Sequence, residues 1–128
     1  MLEEARGLQA ELSGDYDAAV RHYRRQMELD RSRTGVYTDI GRVLRLSGDL
    51  PAAARELATA LRLRPSNANA RYELALVHQQ AGRASDAVAE LRRALETWQD
   101  AEPEYARAAR AREALDRLLA PRATSPGR

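Results

Sequence analysis

The chain has 128 residues, of which 44% are hydrophobic and 5% aromatic, and it contains no cysteine. This length suffices for one domain with its own core, and the absence of thiols excludes disulfides, thiol catalysis and thiolate metal sites. The formal net charge is +2 and all 21 cationic residues are arginine, so we expect neither a nucleic acid nor a membrane as partner. The abundance of alanine and arginine favours a bacterial source. The acidic start, residues 1–4, is unlike a signal peptide, which favours the cytoplasm and leaves export open.

Three glycines, Gly14, Gly48 and Gly82, follow one another at intervals of 34 residues, and each opens a related segment. A fixed period of this length is typical of repeat arrays, in which each unit buries its apolar face on a neighbour. Glycine suits the left-handed residue past a helix end, so each unit is predicted to be two helices joined by a tight turn. The helices expected in chain order cover about residues 2–13, 16–30, 35–47, 50–63, 68–81, 84–98 and 103–120.

The second unit shows the pattern most clearly. Asp49 follows the glycine as a helix cap, and Pro51 is tolerated in the first turn of the next helix. Both helices carry apolar or small residues at helical spacing, which predicts one inward face on each. These residues are Tyr37, Ile40, Gly41 and Leu44 on the first helix, and Ala53, Leu57, Ala60 and Leu61 on the second.

The seventh helix is predicted to open with Pro103 and to cap the third unit. Its apolar face carries Tyr105, Ala108, Leu115 and Leu119, which we expect to cover that unit. Its other face carries Arg107, Arg110, Glu113 and Arg117, which we expect to form a polar outer surface. Residues 121–128 have no periodicity and are predicted to be disordered.

These units resemble the tetratricopeptide repeat, a helix-turn-helix unit of 34 residues. The best match is the set Tyr37, Ile40, Gly41, Leu44, Gly48, Ala53, Leu57, Ala60 and Pro65. The resemblance covers about residues 2–100, and it is weakest at Arg6, Gln26 and Trp98. It implies an all-α solenoid over residues 1–120, with repeats at about 1–33, 34–67 and 68–101 and a capping helix at about 103–120.

No constellation for catalysis or metal binding is evident. His22 and His78 lie on different helix types, and His78 falls on an inward stripe, where packing is its usual role. Arginine pairs are interleaved with glutamates, which favours solvated, ion-paired faces over a nucleic-acid patch. Trp98 is expected to pack between the third unit and the final helix, with ligand stacking as the alternative. We therefore expect no enzyme activity, no cofactor and no metal.

In the tetratricopeptide family the first helices of successive units line a concave groove that holds a peptide segment. Helical geometry assigns twelve residues here to that face, including Glu4, Glu11, Leu12 and Gln80. The eight taken as candidate groove residues are Leu8, Thr38, Arg42, Arg45, Leu46, Tyr72, Leu76 and Gln79. Arginine binds carboxylates bidentately and tyrosine is a favoured interface anchor, so an acidic peptide with an apolar residue is the expected ligand. The alternative is that the leucines are core between neighbouring helices. The family's clamp for a C-terminal carboxylate is not matched, because Glu4, Asp39 and Glu73 occupy three of its positions.

The sequence therefore predicts a non-catalytic protein–protein interaction module that captures a segment of a partner protein. The alternative is a module that self-associates to a homo-oligomer, through apolar residues such as Leu8 and Leu12 at the N-terminal edge. No capping residue precedes Leu2, so we expect either a domain of a larger protein or a small protein with a frayed first helix.

Overall fold

The computed structural model describes residues 2–99 and 105–120, and the side chains of residues 5–99 and 105–120. This part of the chain forms seven α-helices and no strand. They are α1 (Leu2–Leu12), α2 (Tyr16–Leu29), α3 (Val36–Ser47), α4 (Leu50–Leu63), α5 (Ala68–Gln80), α6 (Ala84–Thr97) and α7 (Ala106–Leu119). The seven predicted helices are confirmed, although α7 begins later than expected. Pro103 and residues 121–128 lie outside the described part.

The helices pack in chain order. Each one contacts chiefly the helices before and after it, and α3 also contacts α5. Packing of this nearest-neighbour kind defines a solenoid, so the predicted all-α solenoid fold is confirmed. Among the described helices, none is long and apolar enough to cross a membrane.

The three turns between paired helices have the same backbone conformation. Gly14, Gly48 and Gly82 have φ values of 81°, 93° and 77°, in the left-handed region that residues with a side chain rarely adopt. In the first two units an aspartate after the glycine caps the next helix: Asp15 Oδ1 accepts from the N–H of Ala18, and Asp49 Oδ1 from that of Ala52, both at 3.2 Å. In the third unit Arg83 takes this place, and α6 has no side-chain cap.

The core is built mainly from alanine, and its largest fully buried side chains are Ile40, Val43, Leu57 and Leu91. Small residues let the paired helices approach closely. A Cβ atom at Gly41 would lie only 2.6 Å from Cδ2 of Leu57, so α3 and α4 cross closely at this glycine, and a larger residue would displace the side chain of Leu57. The same holds between α1 and α2, where Gly7 lies against the ring of Tyr23.

The last helix packs on α6, but not through all the predicted residues. Ala108, Ala111 and Ala114 are buried, and Leu115 and Leu118 pack against the same cluster. Leu119 is 52% exposed, so its predicted role in covering the third unit is wrong. It is the last residue of α7, and it is not among the residues that pack against the cluster shared with α6.

Candidate functional site

The odd-numbered helices share one face, and this face contains a depression of about 400 Å³. Residues of α1, α3, α5 and α7 line it, together with one tyrosine from α2. We call this depression the groove and define it by its nine lining residues: Leu8, Glu11, Tyr23, Asp39, Arg42, Tyr72, Glu73, Arg107 and Arg110.

Three of the eight residues predicted from the sequence line the groove. They are Leu8, Arg42 and Tyr72, one from each of α1, α3 and α5. Arg45 lies beside it and contacts Glu73 from α5. The structure thus brings these side chains of three separate units together.

The other four residues do not line the groove. Thr38 is only 6% exposed and accepts a hydrogen bond from the side-chain amide of Asn67, so it is a packing residue. Leu46 is exposed in a separate shallow hollow beside the turn at Gly14. Leu76 is half-buried and Gln79 is exposed. A role of these residues in binding stays a prediction.

Arg42 does not offer a free guanidinium, contrary to expectation. Its Nε lies 2.7 Å from Glu11 Oε2 and its Nη2 lies 2.9 Å from Glu11 Oε1, which is a bidentate pair across 31 residues of sequence. Its Nη1 donates to Asp39 Oδ1 at 3.1 Å. Tyr23 donates its hydroxyl to Glu11 at 2.9 Å, since Gly7 lets its ring lie close against α1. The expected acidic ligand of Arg42 is therefore already supplied by the chain.

The pKa values of the two carboxylates that contact Arg42 are shifted in opposite directions. Burial disfavours the charge of Glu11, but hydrogen bonds and the positive charge of Arg42 outweigh it and hold the pKa of Glu11 below its usual range. At Asp39 burial dominates over Arg42 and raises the pKa. Burial and the hydrogen bond to Glu11 together raise the pKa of the Tyr23 hydroxyl, so it stays protonated as a donor.

The guanidinium of Arg45 also has partners within the chain. Its Nε lies 3.2 Å from Glu73 Oε2, and its Nη1 donates to the side-chain oxygen of Gln80 at 2.9 Å. Both members of the Arg45–Glu73 pair are largely buried. Arg42 and Arg45 therefore hold α3 to its neighbours α1 and α5, a role that helical spacing alone did not predict.

Arg107 and Arg110 of α7 line the groove, although the sequence pattern predicted an outer surface for them. Both side chains are exposed, and Arg107 acts electrostatically on Asp39 of α3. The inward stripe of α7 packs on α6, and this orientation turns the neighbouring face of α7 towards α3 and α5. The sequence shows that Arg107 and Arg110 lie at i and i+3 on one face of α7. It does not show towards which helices that face points.

Next to the groove, Tyr72 belongs to an aromatic cluster with Trp98 and Tyr105. The ring centroids of Tyr72 and Trp98 are 6.3 Å apart, and those of Trp98 and Tyr105 are 5.4 Å apart in an edge-to-face arrangement. This agrees with the expectation that Trp98 packs between the third unit and α7. One side of Tyr72 is thus fixed in the core, and the other lines the groove.

Comparison with known proteins identifies the fold. Residues 41–82 match the sequence model of the family described as TPR repeat. The structure of PcrH from Pseudomonas aeruginosa superimposes with a TM-score of 0.82 at 21% identity, covering 93% of this chain and 90% of that chain. The resemblance to the tetratricopeptide family is thereby confirmed: residues 41–82 are tetratricopeptide repeat sequence, and the described chain has the fold of such domains.

Two similar structures contain a bound segment of another protein. The Yersinia enterocolitica chaperone SycD, in complex with a peptide of the translocator YopD, has a TM-score of 0.79 at 17% identity, with 91% of this chain and 89% of that chain covered. The TPR2B domain of yeast Sti1, in complex with pHsp70, has a TM-score of 0.80 at 15% identity, with 91% and 92% covered. No curated protein sequence matches the chain.

Proposed function

We propose that the chain binds a segment of a partner protein in the groove and does so without catalysis. The observation that carries this proposal is the joint lining of one depression by residues of α1, α3, α5 and α7. The peptide complexes of SycD and of the Sti1 domain, which share the fold, support a ligand of this kind.

The groove offers a few apolar contacts between many polar ones. Leu8 is 50% exposed on α1, and the ring of Tyr72 lies on α5. An apolar side chain of the segment would contact these two residues, while the ion pairs of Arg42 and Arg45 keep the floor rigid. Because a short segment buries less area than a standard protein interface, we expect modest affinity.

The test is a selection of random short peptides by display, followed by nuclear magnetic resonance of the labelled chain with an enriched peptide. We expect shifts of the backbone signals to concentrate at residues of α1, α3, α5 and α7. Leu8→Arg should weaken binding roughly tenfold, since it replaces an apolar contact by a charge. The matched control is Leu29→Arg, at an exposed leucine of α2 outside the groove. Shifts confined to the even-numbered helices, or equal effects of the two variants, would contradict the proposal.

A second candidate function, self-association, has one observation in its favour. Leu12 at the end of α1 is 79% exposed and does not line the groove. Association through this edge would bury it together with Leu8. Sedimentation equilibrium of the wild type and of Leu12→Glu decides between the two: a dimer that the substitution converts to monomer supports self-association, and a wild-type monomer at all concentrations excludes it.

A further inference from the structure

A second depression lies between the C-terminal ends of α2 and α4, where the chain enters α3. Its volume is about 430 Å³, similar to that of the groove, and it shares no lining residue with the groove. We call this depression the cleft. Three apolar and three charged side chains line it: Met27, Tyr37 and Leu63, and Arg24, Glu28 and Arg31.

The next junction between units shows why the cleft is open. Between α4 and α6 the residue 34 positions after Tyr37 is Arg71. Its Nη2 donates to the carbonyl of Pro65, just after α4, at 3.0 Å, and its Nη1 donates to Glu90 of α6 at 3.2 Å. Arg71 therefore bridges these two helices. At the first junction Tyr37 packs instead against a core cluster that contains Leu57 of α4, so it forms no such bridge and the cleft stays open.

The cleft leaves apolar surface in contact with solvent. Leu63 is the last residue of α4, and it is 53% exposed although it lines the cleft. Met27 and Tyr37 line the same space and are only partly buried. A protruding leucine beside an apolar hollow gives this surface both a projection and a recess. Burial of such surface favours association, because it removes apolar atoms from water.

Two charged residues of the cleft, one of each sign, are available to a partner. Arg31 is exposed, and in the part of the chain that the structure describes no carboxylate pairs with it within 4.0 Å. Glu28 pairs with Arg25 at 3.4 Å, but both side chains are exposed, and such a pair contributes little. Arg24, in contrast, is bound to Glu56 of α4 at 2.6 Å.

We propose that a second copy of this chain occupies the cleft, in a two-fold symmetric dimer. A two-fold axis brings the same surface of both copies together, so that surface must be complementary to itself. In this dimer Leu63 of each copy enters the hollow beside Met27 and Tyr37 of the other. Arg31 of each copy pairs with Glu28 of the other. A partner of a single charge would satisfy one of these two residues, whereas a second copy satisfies both.

The dimer goes beyond the proposed function, because each copy keeps its own groove. It also differs from association through the N-terminal edge, which would bury Leu12 and leave the cleft open. Sedimentation equilibrium can therefore assign the interface from the variants that abolish the dimer, and failure of the dimer would leave peptide binding in the groove to its own test.

The first experiment compares Leu63→Glu with Leu29→Glu. Leu29 is the matched control, since it ends α2 as Leu63 ends α4, is exposed and is not among the residues that line the cleft. We expect a monomer–dimer equilibrium for the wild type and for the control, and a dissociation constant at least about tenfold higher for Leu63→Glu, because it places a charge against an apolar surface. A wild type that stays monomeric up to about 1 mM, or equal effects of the two variants, overturns the proposal.

The second experiment tests the two-fold pairing by charge reversal. Arg31→Glu and Glu28→Arg should each raise the dissociation constant about fivefold to tenfold, because like charges then face each other twice in the dimer. An equimolar mixture of the two variants should form a heterodimer with nearly the affinity of the wild type, since both pairs again join an acid and a base. This recovery would also show that both variants are folded.

Two results of these measurements contradict the cleft interface. If the two charge variants associate no better in the mixture than alone, Arg31 and Glu28 do not pair across the dimer. If Leu12→Glu abolishes the dimer and Leu63→Glu does not, association occurs at the N-terminal edge and the cleft is not the interface.

Discussion

Single residues set the distances between the helices, and Gly41 is the clearest case. We expect Gly41→Ala to lower the free energy of unfolding by about 1–3 kcal/mol, because its Cβ would lie 2.6 Å from the side chain of Leu57. Leu57 is fully buried, so its side chain would have to move within the core. Helix propensity alone would favour alanine by up to about 1 kcal/mol, so the clash must exceed that gain.

Urea denaturation measures this effect, with Gly35→Ala as the control. A Cβ atom at Gly35 meets nothing within 4 Å, and the backbone there has a φ of −62°. We expect this control to stay within about 0.5 kcal/mol of the wild type. If Gly41→Ala were as stable as the control, the close crossing of α3 and α4 would not matter for stability.

The carboxylates around Arg42 predict opposite effects of pH. The pKa of Glu11 in the folded chain lies below the ordinary 4.5, so its ion pair stabilises the fold above that pH and is lost as the pH falls through the lower folded value. The pKa of Asp39 lies above the ordinary 3.8, so the contribution of Asp39 to stability is greatest below pH 3.8 and is lost as the pH rises through the higher folded value.

Glu11→Gln should therefore lower the free energy of unfolding by about 2 kcal/mol at pH 7 and flatten its decline below pH 4.5. Asp39→Asn should not lower the free energy of unfolding at pH 7, because an amide oxygen still accepts from Arg42 and the charge that partial burial disfavours is removed. Urea denaturation at a series of pH values measures both, with the exposed Glu28→Gln as control. A loss for Asp39→Asn as large as that for Glu11→Gln would show that the charge of Asp39 stabilises the fold at pH 7, contrary to its raised pKa.

Three helices, α2, α4 and α6, follow a glycine turn. Of these three, α6 is the one without a side-chain hydrogen bond that caps its N-terminus. Arg83 stands where Asp15 and Asp49 stand in the other units. We expect Arg83→Asp to raise the free energy of unfolding by about 0.5–1.5 kcal/mol, through a cap hydrogen bond and a favourable charge at the helix N-terminus. Thermal denaturation measures this.

Arg93→Asp is the control, since it makes the same charge change on an exposed face inside α6. It should leave the melting temperature unchanged or lower it. A rise of equal size for both variants would show that the reduced positive charge of the protein, rather than the cap, stabilises it.

For the molecule as a whole, α7 decides whether the third unit is covered. Its alanines Ala111 and Ala114 belong to the same buried cluster as Leu91 of α6. A chain that ends at residue 102 should therefore melt at a lower temperature and aggregate with rising concentration. A chain that ends at residue 120 controls for removal of the C-terminal residues alone. Equal melting temperatures of the two shortened chains, both monomeric by light scattering, would contradict the capping role of α7.

The sequence predicted the helices because their signals are local. A glycine such as Gly48 and a cap such as Asp49 act within a few residues, and the 34-residue period repeats them. The ion pairs of the groove could not be predicted in this way. Glu11 and Arg42 are 31 residues apart, and whether they meet depends on how α1 and α3 are placed against each other.

The direction of the faces of α7 could not be predicted for the same reason, since it too depends on how distant helices are placed. The spacing of Tyr105, Ala108, Leu115 and Leu119 predicted one apolar face, of which Ala108 is buried and Leu115 packs against the cluster shared with α6, whereas Leu119 is exposed. The spacing did not predict on which side of that face the groove lies, so Arg107 and Arg110 were assigned to the outside. Such a direction follows from the accumulated rotation of all preceding helices, which no local pattern records.

The chain-order packing of the helices has a mechanical consequence for any ligand of the groove. A stack in which each helix is held chiefly by its neighbours loosens from its two ends, since the terminal helices have a neighbour on one side only. Leu8 lies on the first helix and Arg107 on the last described one, yet both border the same depression. A segment that touches both would link the two ends of the stack and oppose their fraying. Binding of the segment would then connect the two ends of the solenoid, so that the same contacts that capture the partner would also raise the resistance of the protein to unfolding.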